Sequence, residues 1–296
     1  MPNDVQLFDT HAHFFTNDTA SYPIDITGAR EGEDALRRRI ENDPATAERL
    51  LGLWDRLGVA GGAAVQYNTV YKTDNRYAVA TADAHPDRVS AVLILDARNP
   101  DAPKQLRDIA GNHNVTGLRF FGPPEADGAY AYLESPTGLK CWEEAAALGL
   151  TMVLMYTPGS ASAVALRKIA ALATRFAPMT VTLDHCGWPL TDQGIAGTLA
   201  PEHLALADIP NVSFKFTQIN LNRFRDAGID AAEFVRRAVD SFGADRVMWG
   251  SDYGNTRDSY ETMVEQAIAA TRLLDAAERQ RVLHDNGRRL FASRTR

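Results

Sequence analysis

Residues 8–15 read FDTHAHFF and place His11 and His13 one position apart in an apolar, aromatic run. On a β-strand, residues i and i+2 leave the same face roughly 6.5–7 Å apart, so two imidazoles in this spacing can converge on one ion or one substrate. Histidines on strands also serve as plain hydrogen-bonding residues, so the pair needs partners before it means chemistry. The partners are His185, near the end of the run MTVTLDHC, and Asp252, near the end of RVMWGSDY. Three histidines and an aspartate are a sufficient ligand set for one zinc. The same four groups also suit a cationic, hydrogen-bonding pocket that holds no ion.

The elements that would carry these residues are eight short β-rich runs: LFDTHAHFF, AGGAAVQY, RVSAVLILD, VTGLRFF, LTMVLMYT, MTVTLDHC, NVSFKFTQ and RVMWGSDY. Segments with helical periodicity separate them. In DPATAERLLGLWDRLG, Asp43 is the expected N-cap, Pro44 the first helical residue, and Ala47, Leu50, Leu51, Trp54 and Leu57 the buried stripe. Strands alternating with helices pair in parallel, and eight such units in 296 residues predict a closed α/β fold, the (β/α)8 or TIM barrel, as a single domain over 1–296. An open doubly wound sheet is the rival, but FFTNDT stands where its glycine-rich turn would be. Residues 16 to 42 read as a long irregular loop over the barrel mouth, the place for a lid.

In such a barrel the active face is formed by the C-terminal ends of the strands. The polar residues at those ends are His11 and His13, Gln66, Asp96, Arg119, Tyr156, His185, Lys215, and Asp252 followed by Asn255. Strand alternation puts Ser213, Lys215 and Thr217 on one face of the seventh run, with Phe214 and Phe216 on the other. By the same alternation His185 faces inward with Val181 and Leu183, while Cys186 faces away with Asp184 and is no nucleophile. Arg119 is a cation for the mouth, with Asp96 as a candidate partner. His85, His113, His203 and His284 fall at helix ends or connections away from that face and read as structural.

Composition narrows the class. The chain is 45% hydrophobic and 23% charged with a net charge of −7, and its 31 basic residues are scattered, which recommends neither nucleic acid nor an anionic membrane as partner. Cys141 and Cys186 lie outside any metal or disulfide pattern, so a reducing cytoplasm is the expected location. No export signal or membrane-length apolar run is present in the sequence. Nothing singles out an oligomeric state.

Taken together, HAHFF after the first strand, SYPI in the long loop, LDHCGWP at the sixth and GSDYGN at the eighth resemble the amidohydrolase superfamily, specifically the amidohydrolase-2 branch of pyrone dicarboxylate and sugar lactonases. The order of elements matches over essentially the whole chain. The resemblance implies that Asp252 activates water as a general base, while His11, His13 and His185 polarise the lactone carbonyl or, with Asp252, hold one divalent ion such as zinc or manganese. It implies substrate-binding roles for Tyr156, Asn255, Arg119 and Arg223, to which Lys215 and Gln66 add polar groups at the mouth. TGLRFF lacks the bridging lysine or glutamate of binuclear members, so a two-metal site is not expected. The expected activity is ring opening of a small anionic or polyhydroxylated lactone. A decarboxylase of the same branch, a lactone isomerase and a non-catalytic ligand binder are the alternatives.

Overall fold

The computed structural model describes residues 5–293. Eight strands, β1 (Leu7–Ala12), β2 (Val59–Val65), β3 (Val89–Ile94), β4 (Val115–Gly122), β5 (Thr151–Tyr156), β6 (Val181–Leu183), β7 (Val212–Thr217) and β8 (Val247–Gly250), lie in chain order in one sheet. Every neighbouring pair is parallel. The sheet curls until β8 meets β1, where Asp252 N donates to His11 O at 2.7 Å and His13 N to Tyr253 O at 2.9 Å. The chain is therefore the expected TIM barrel.

Side-chain size decides how closely that seam can shut. A Cβ on Gly250 would come within 2.5 Å of the His11 Cβ, so only glycine lets β8 lie against the first histidine. Beside it, the Asp9 carboxylate accepts from His11 N at 3.0 Å, Ser251 N at 2.8 Å and the Tyr260 hydroxyl at 3.0 Å. One buried carboxylate thus ties both strands and the following helix Tyr260–Ala270 together.

Strands covered on both faces read as continuous apolar runs. Their outer faces pack under the helices; Phe214, for example, stacks on Phe242 at 3.9 Å between ring centroids. Inside the barrel a smaller apolar cluster joins Phe8, Ala63, Val65, Val92, Val153 and Met248, with Phe291 of the last helix beneath them.

Two local expectations are corrected. Residues 16 to 42 are not all loop, because Glu33–Asn42 forms a helix, α1, that buries Leu36 and Ile40. The next helix, α2 (Ala47–Leu57), starts later than Asp43 and Pro44 predict: Thr46 is its N-cap, accepting from Arg49 N, and Asp43 instead caps the end of α1 and pairs with Arg49. Thr46 competes well for the cap because its hydroxyl reaches the free amide three residues on. No helix among the described residues is long and apolar enough to cross a membrane.

Candidate active site

β1 delivers His11 and the turn after it delivers His13, while the turn after β8 delivers Asp252, whose φ of 59° lies in the left-handed region. His11 and Asp252 are fully buried and His13 nearly so. His13 Nδ1 lies 2.9 Å from Val65 O, which can only accept, so that nitrogen carries the proton. His11 Nδ1 lies 3.2 Å from Asp184 Oδ1, which fixes the same tautomer there. Burial holds the His11 pKa down at about 3, keeping the ring neutral. Both Nε2 lone pairs then face one another at 3.2 Å.

Asp252 Oδ1 completes this arrangement at 3.4 Å from His13 Nε2 and 3.6 Å from His11 Nε2, without a hydrogen bond of its own. Its other oxygen is committed, accepting from Asn255 Nδ2 at 2.9 Å and Thr256 Oγ1 at 2.6 Å. Burial raises the Asp252 pKa, but the surrounding histidines outweigh that effect and hold it below the usual carboxylate range. Three acceptors converging with no donor between them call for a cation or a water. His11, His13 and Asp252 fit a single divalent ion by this test, since their ligand atoms all lie within 4.8 Å of one another. His185, the fourth expected ligand, stands outside that close group.

His185 follows β6 in a backbone that turns left-handed at once, with φ of 52° at both His185 and Cys186 and 60° at Trp188. The turn ends strand alternation. Asp184 and His185 both reach the site, contrary to the parity argument, and the residue missed from sequence is Asp184. It accepts from Arg119 Nε at 2.8 Å and lies 3.4 Å from Lys215 Nζ as well as beside His11, all four side chains being buried. Burial raises its pKa, but His11, Lys215 and Arg119 more than offset this and leave it well below the usual value. The His185 ring is held by Thr217 Oγ1 at 2.7 Å from Nδ1 and packs 4.8 Å from Trp188, and burial takes its pKa down to about 4.

A cavity of about 200 Å³ opens above these groups, walled by His13, Asp252, Asn255, Arg119, His185 and Trp188. Residues from two other places also reach it. Arg30 and Glu31 come from the segment before α1, and Tyr67 comes from the end of β2. The volume is about seven times a water's share of liquid, which suits one small ring. A larger groove of about 900 Å³ runs outside the barrel along α1 and α2, and no histidine lines it.

Several expected substrate contacts lie elsewhere. Gln66 turns away from the barrel and donates to Lys72 O at 3.2 Å and Asp74 O at 2.7 Å, so it braces the loop after β2. Tyr67 takes the cavity position, in phase with inward Ala63 and Val65, and that phase is the signal that identifies it. Its ring stacks on His13 at 4.9 Å, and burial pushes its hydroxyl up to about 12, so it remains a donor. Lys215 is sealed below the cavity, its ammonium 4.4 Å above the Phe291 ring, and cannot reach a substrate. The Tyr156 hydroxyl donates to Gly187 O and steadies the turn carrying His185. Arg223 lies over the outer Trp188 ring at 5.4 Å and is not part of the cavity wall.

Asp96 pairs with Arg98 at 3.0 Å on the surface, leaving Arg119 to Asp184. His203 is structural as expected but belongs to the active face, its Nε2 lying 2.7 Å from Gly187 O. Cys141 and Cys186 are free and buried, and burial raises both thiols.

Comparison with known proteins agrees with this barrel. The family model for amidohydrolases matches residues 8–292. The chain belongs to the amidohydrolase family. Among relatives of this amidohydrolase, the L-fucono-1,5-lactonase of Burkholderia ambifaria is 26% identical over 229 residues, 76% of this chain and 73% of that protein. Among solved structures, a Pseudomonas putida protein described provisionally as a 2-pyrone-4,6-dicarboxylic acid hydrolase is 24% identical with a TM-score of 0.72, covering 97% of both chains. A Burkholderia multivorans amidohydrolase with bound zinc is 20% identical with a TM-score of 0.75, covering 98% of this chain and all of its own. A dihydroxybenzoic acid decarboxylase from a Polaromonas species, holding manganese and an inhibitor, shares the fold at 14% identity and a TM-score of 0.65, covering 97% and 96%.

Proposed function

We propose that this amidohydrolase opens the ring of a small polyhydroxylated lactone by hydrolysis, with Asp252 as general base. The observation that carries the reading is Asp252 Oδ1, a buried acceptor without a hydrogen bond that faces the open nitrogens of His11 and His13. A water there donates one hydrogen to Asp252. As its oxygen attacks the lactone carbonyl carbon, the proton passes to the carboxylate and the carbonyl π electrons move onto oxygen. Arg119 and the His185 ring border the cavity and face that developing charge. Collapse restores the carbonyl and breaks the ring C–O bond, and Asp252 returns the proton to the leaving oxygen. A single zinc or manganese ion held by His11, His13 and Asp252 would acidify water and polarise the carbonyl.

Charge supports the polyhydroxylated one of the two substrate classes expected from sequence. The case for an anionic lactone rested on two free inward cations, but Lys215 is sealed below the cavity and Arg119 is hydrogen-bonded to Asp184. The charged residues on the cavity wall are Arg30 and Arg119 against Glu31 and Asp252, which balance. A neutral substrate rich in hydroxyl groups suits that wall, and the sugar lactone in the name of the Burkholderia ambifaria relative supports it.

The test is a panel of polyhydroxylated five- and six-membered lactones, followed by proton release and product analysis. The expected product is the ring-opened acid. Inertness toward every lactone, together with carbon dioxide release from an aromatic hydroxy acid, would establish the decarboxylase alternative instead.

A further inference from the structure

Besides Asp252 Oδ1 and the Trp188 indole nitrogen, two buried polar atoms on residues of the cavity wall have no hydrogen-bond partner: the Tyr67 hydroxyl and Glu31 Oε1. Both side chains are held in place. The Tyr67 ring is clamped between His13, at 4.9 Å, and Phe15, at 5.6 Å, and is 2% exposed. Glu31 is flanked by Arg257 at 3.3 Å and Arg39 at 4.0 Å, contacts that tie the segment before α1 to the turn beyond Asn255. A buried donor or acceptor left unmade is costly, and one retained beside a catalytic carboxylate is a group awaiting a ligand.

The pair is complementary, one donor and one acceptor. We propose that Tyr67 and Glu31 are the specificity-determining residues that read hydroxyl groups on the substrate, Tyr67 donating to a substrate oxygen and Glu31 accepting from a substrate hydroxyl. The assignment rests on the lactonase reading and deepens it, because it names the feature that separates accepted from rejected lactones. A site built to bond a hydroxyl discriminates sharply against the analogue that lacks it, since its own groups are then left unpaired. The Glu31 carboxylate also repels a substrate that carries its own negative charge. A carboxylated ring is disfavoured on both counts.

The experiment compares kcat/KM for a polyhydroxylated lactone and its mono-deoxy analogues in the wild type, Tyr67→Phe and Glu31→Gln. In the wild type, deleting the hydroxyl that is read should lower kcat/KM on the order of 10–100-fold. Tyr67→Phe removes one buried hydroxyl and keeps the ring, so Tm should change little while that selectivity collapses to about threefold or less. Glu31→Gln keeps an acceptor and loses the charge; it should retain hydroxyl selectivity and gain activity on carboxylated lactones. Equal losses on hydroxylated and deoxy substrates, or unaltered selectivity in Tyr67→Phe, would overturn the assignment and leave the lactonase reading standing. A wild type that turns over no lactone overturns both.

Discussion

At the scale of single residues, the arrangement separates a chemical group from those that hold it. Asp252 sits at φ 59°, a conformation that asparagine also tolerates, so Asp252→Asn keeps shape and backbone while deleting the proposed base. A kcat loss of at least about 10²-fold is expected with folding nearly unchanged, and near-wild-type turnover in a folded variant would refute the assignment. Because Asp252 stays ionised below the usual carboxylate range, it does not set the first acid limb. His185 and His11 take up protons at about 4 and about 3 respectively, so protonation of these two rings should lower kcat/KM only below about pH 5. His185→Gln should remove that ring's share of the fall, and an unchanged profile below pH 5 would contradict the assignment. Asp184 answers a different measurement. Asp184→Asn leaves the Lys215 and Arg119 charges buried without their anion and should cost about 3–5 kcal/mol in denaturant unfolding. Adding Lys215→Met should recover part of that loss, since the two side chains are coupled.

Among the elements, the β1–β8 seam carries the finest tolerance. Gly250→Ala would drive a methyl against the His11 Cβ, at 2.5 Å, and should destabilise by about 1–3 kcal/mol while reducing turnover through displacement of His11. Unfolding curves and kcat on one preparation check both effects. A helix end distant from the site offers a control. Asp230 caps Ala231–Phe242, accepting from Ala232 N at 2.9 Å and from Arg272 Nη1 at 3.0 Å, and these bonds lower its pKa. A carboxyl with a depressed folded pKa stabilises above its unfolded pKa and loses that contribution as pH falls through the folded value. Asp230→Ala should therefore cost about 1 kcal/mol at pH 7 and distinctly less at pH 3, with activity unchanged.

For the whole molecule, the three converging acceptors link metal binding to stability. Protein stripped with a chelator should gain about 2.7 kcal/mol when zinc is supplied at 100 times its dissociation constant, read as an upward shift in Tm. His13→Ala should abolish the shift and lower metal content together. An unchanged Tm and full activity in chelator would favour the metal-free version of the site. The barrel itself supplies the frame for either version, because strands remote in sequence end side by side at one mouth.

Much of this was legible from the residues alone. The alternation of short apolar runs with amphipathic segments determines the barrel, since parallel strands need a crossover at each step and both faces of the sheet must be buried. His11 and His13 were legible because a period of two is local, and Asp252 because it closely follows the last strand. Gln66, Lys215 and Tyr156 show where such reading stops. At the end of β2 the cavity position belongs to Tyr67, in phase with the inward Ala63 and Val65, and Gln66 serves a neighbouring loop. Lys215 does point inward, but its depth and its partner were decided by Asp184, which the turn after the neighbouring strand β6 carries back over it. Beyond β6 the left-handed turn at His185 cancels alternation altogether and brings two successive side chains to one site. Period and composition act along the chain and can be read there; ion pairing and side-chain direction past a strand end depend on loop dihedrals and on neighbours distant in sequence, which only the folded structure brings together.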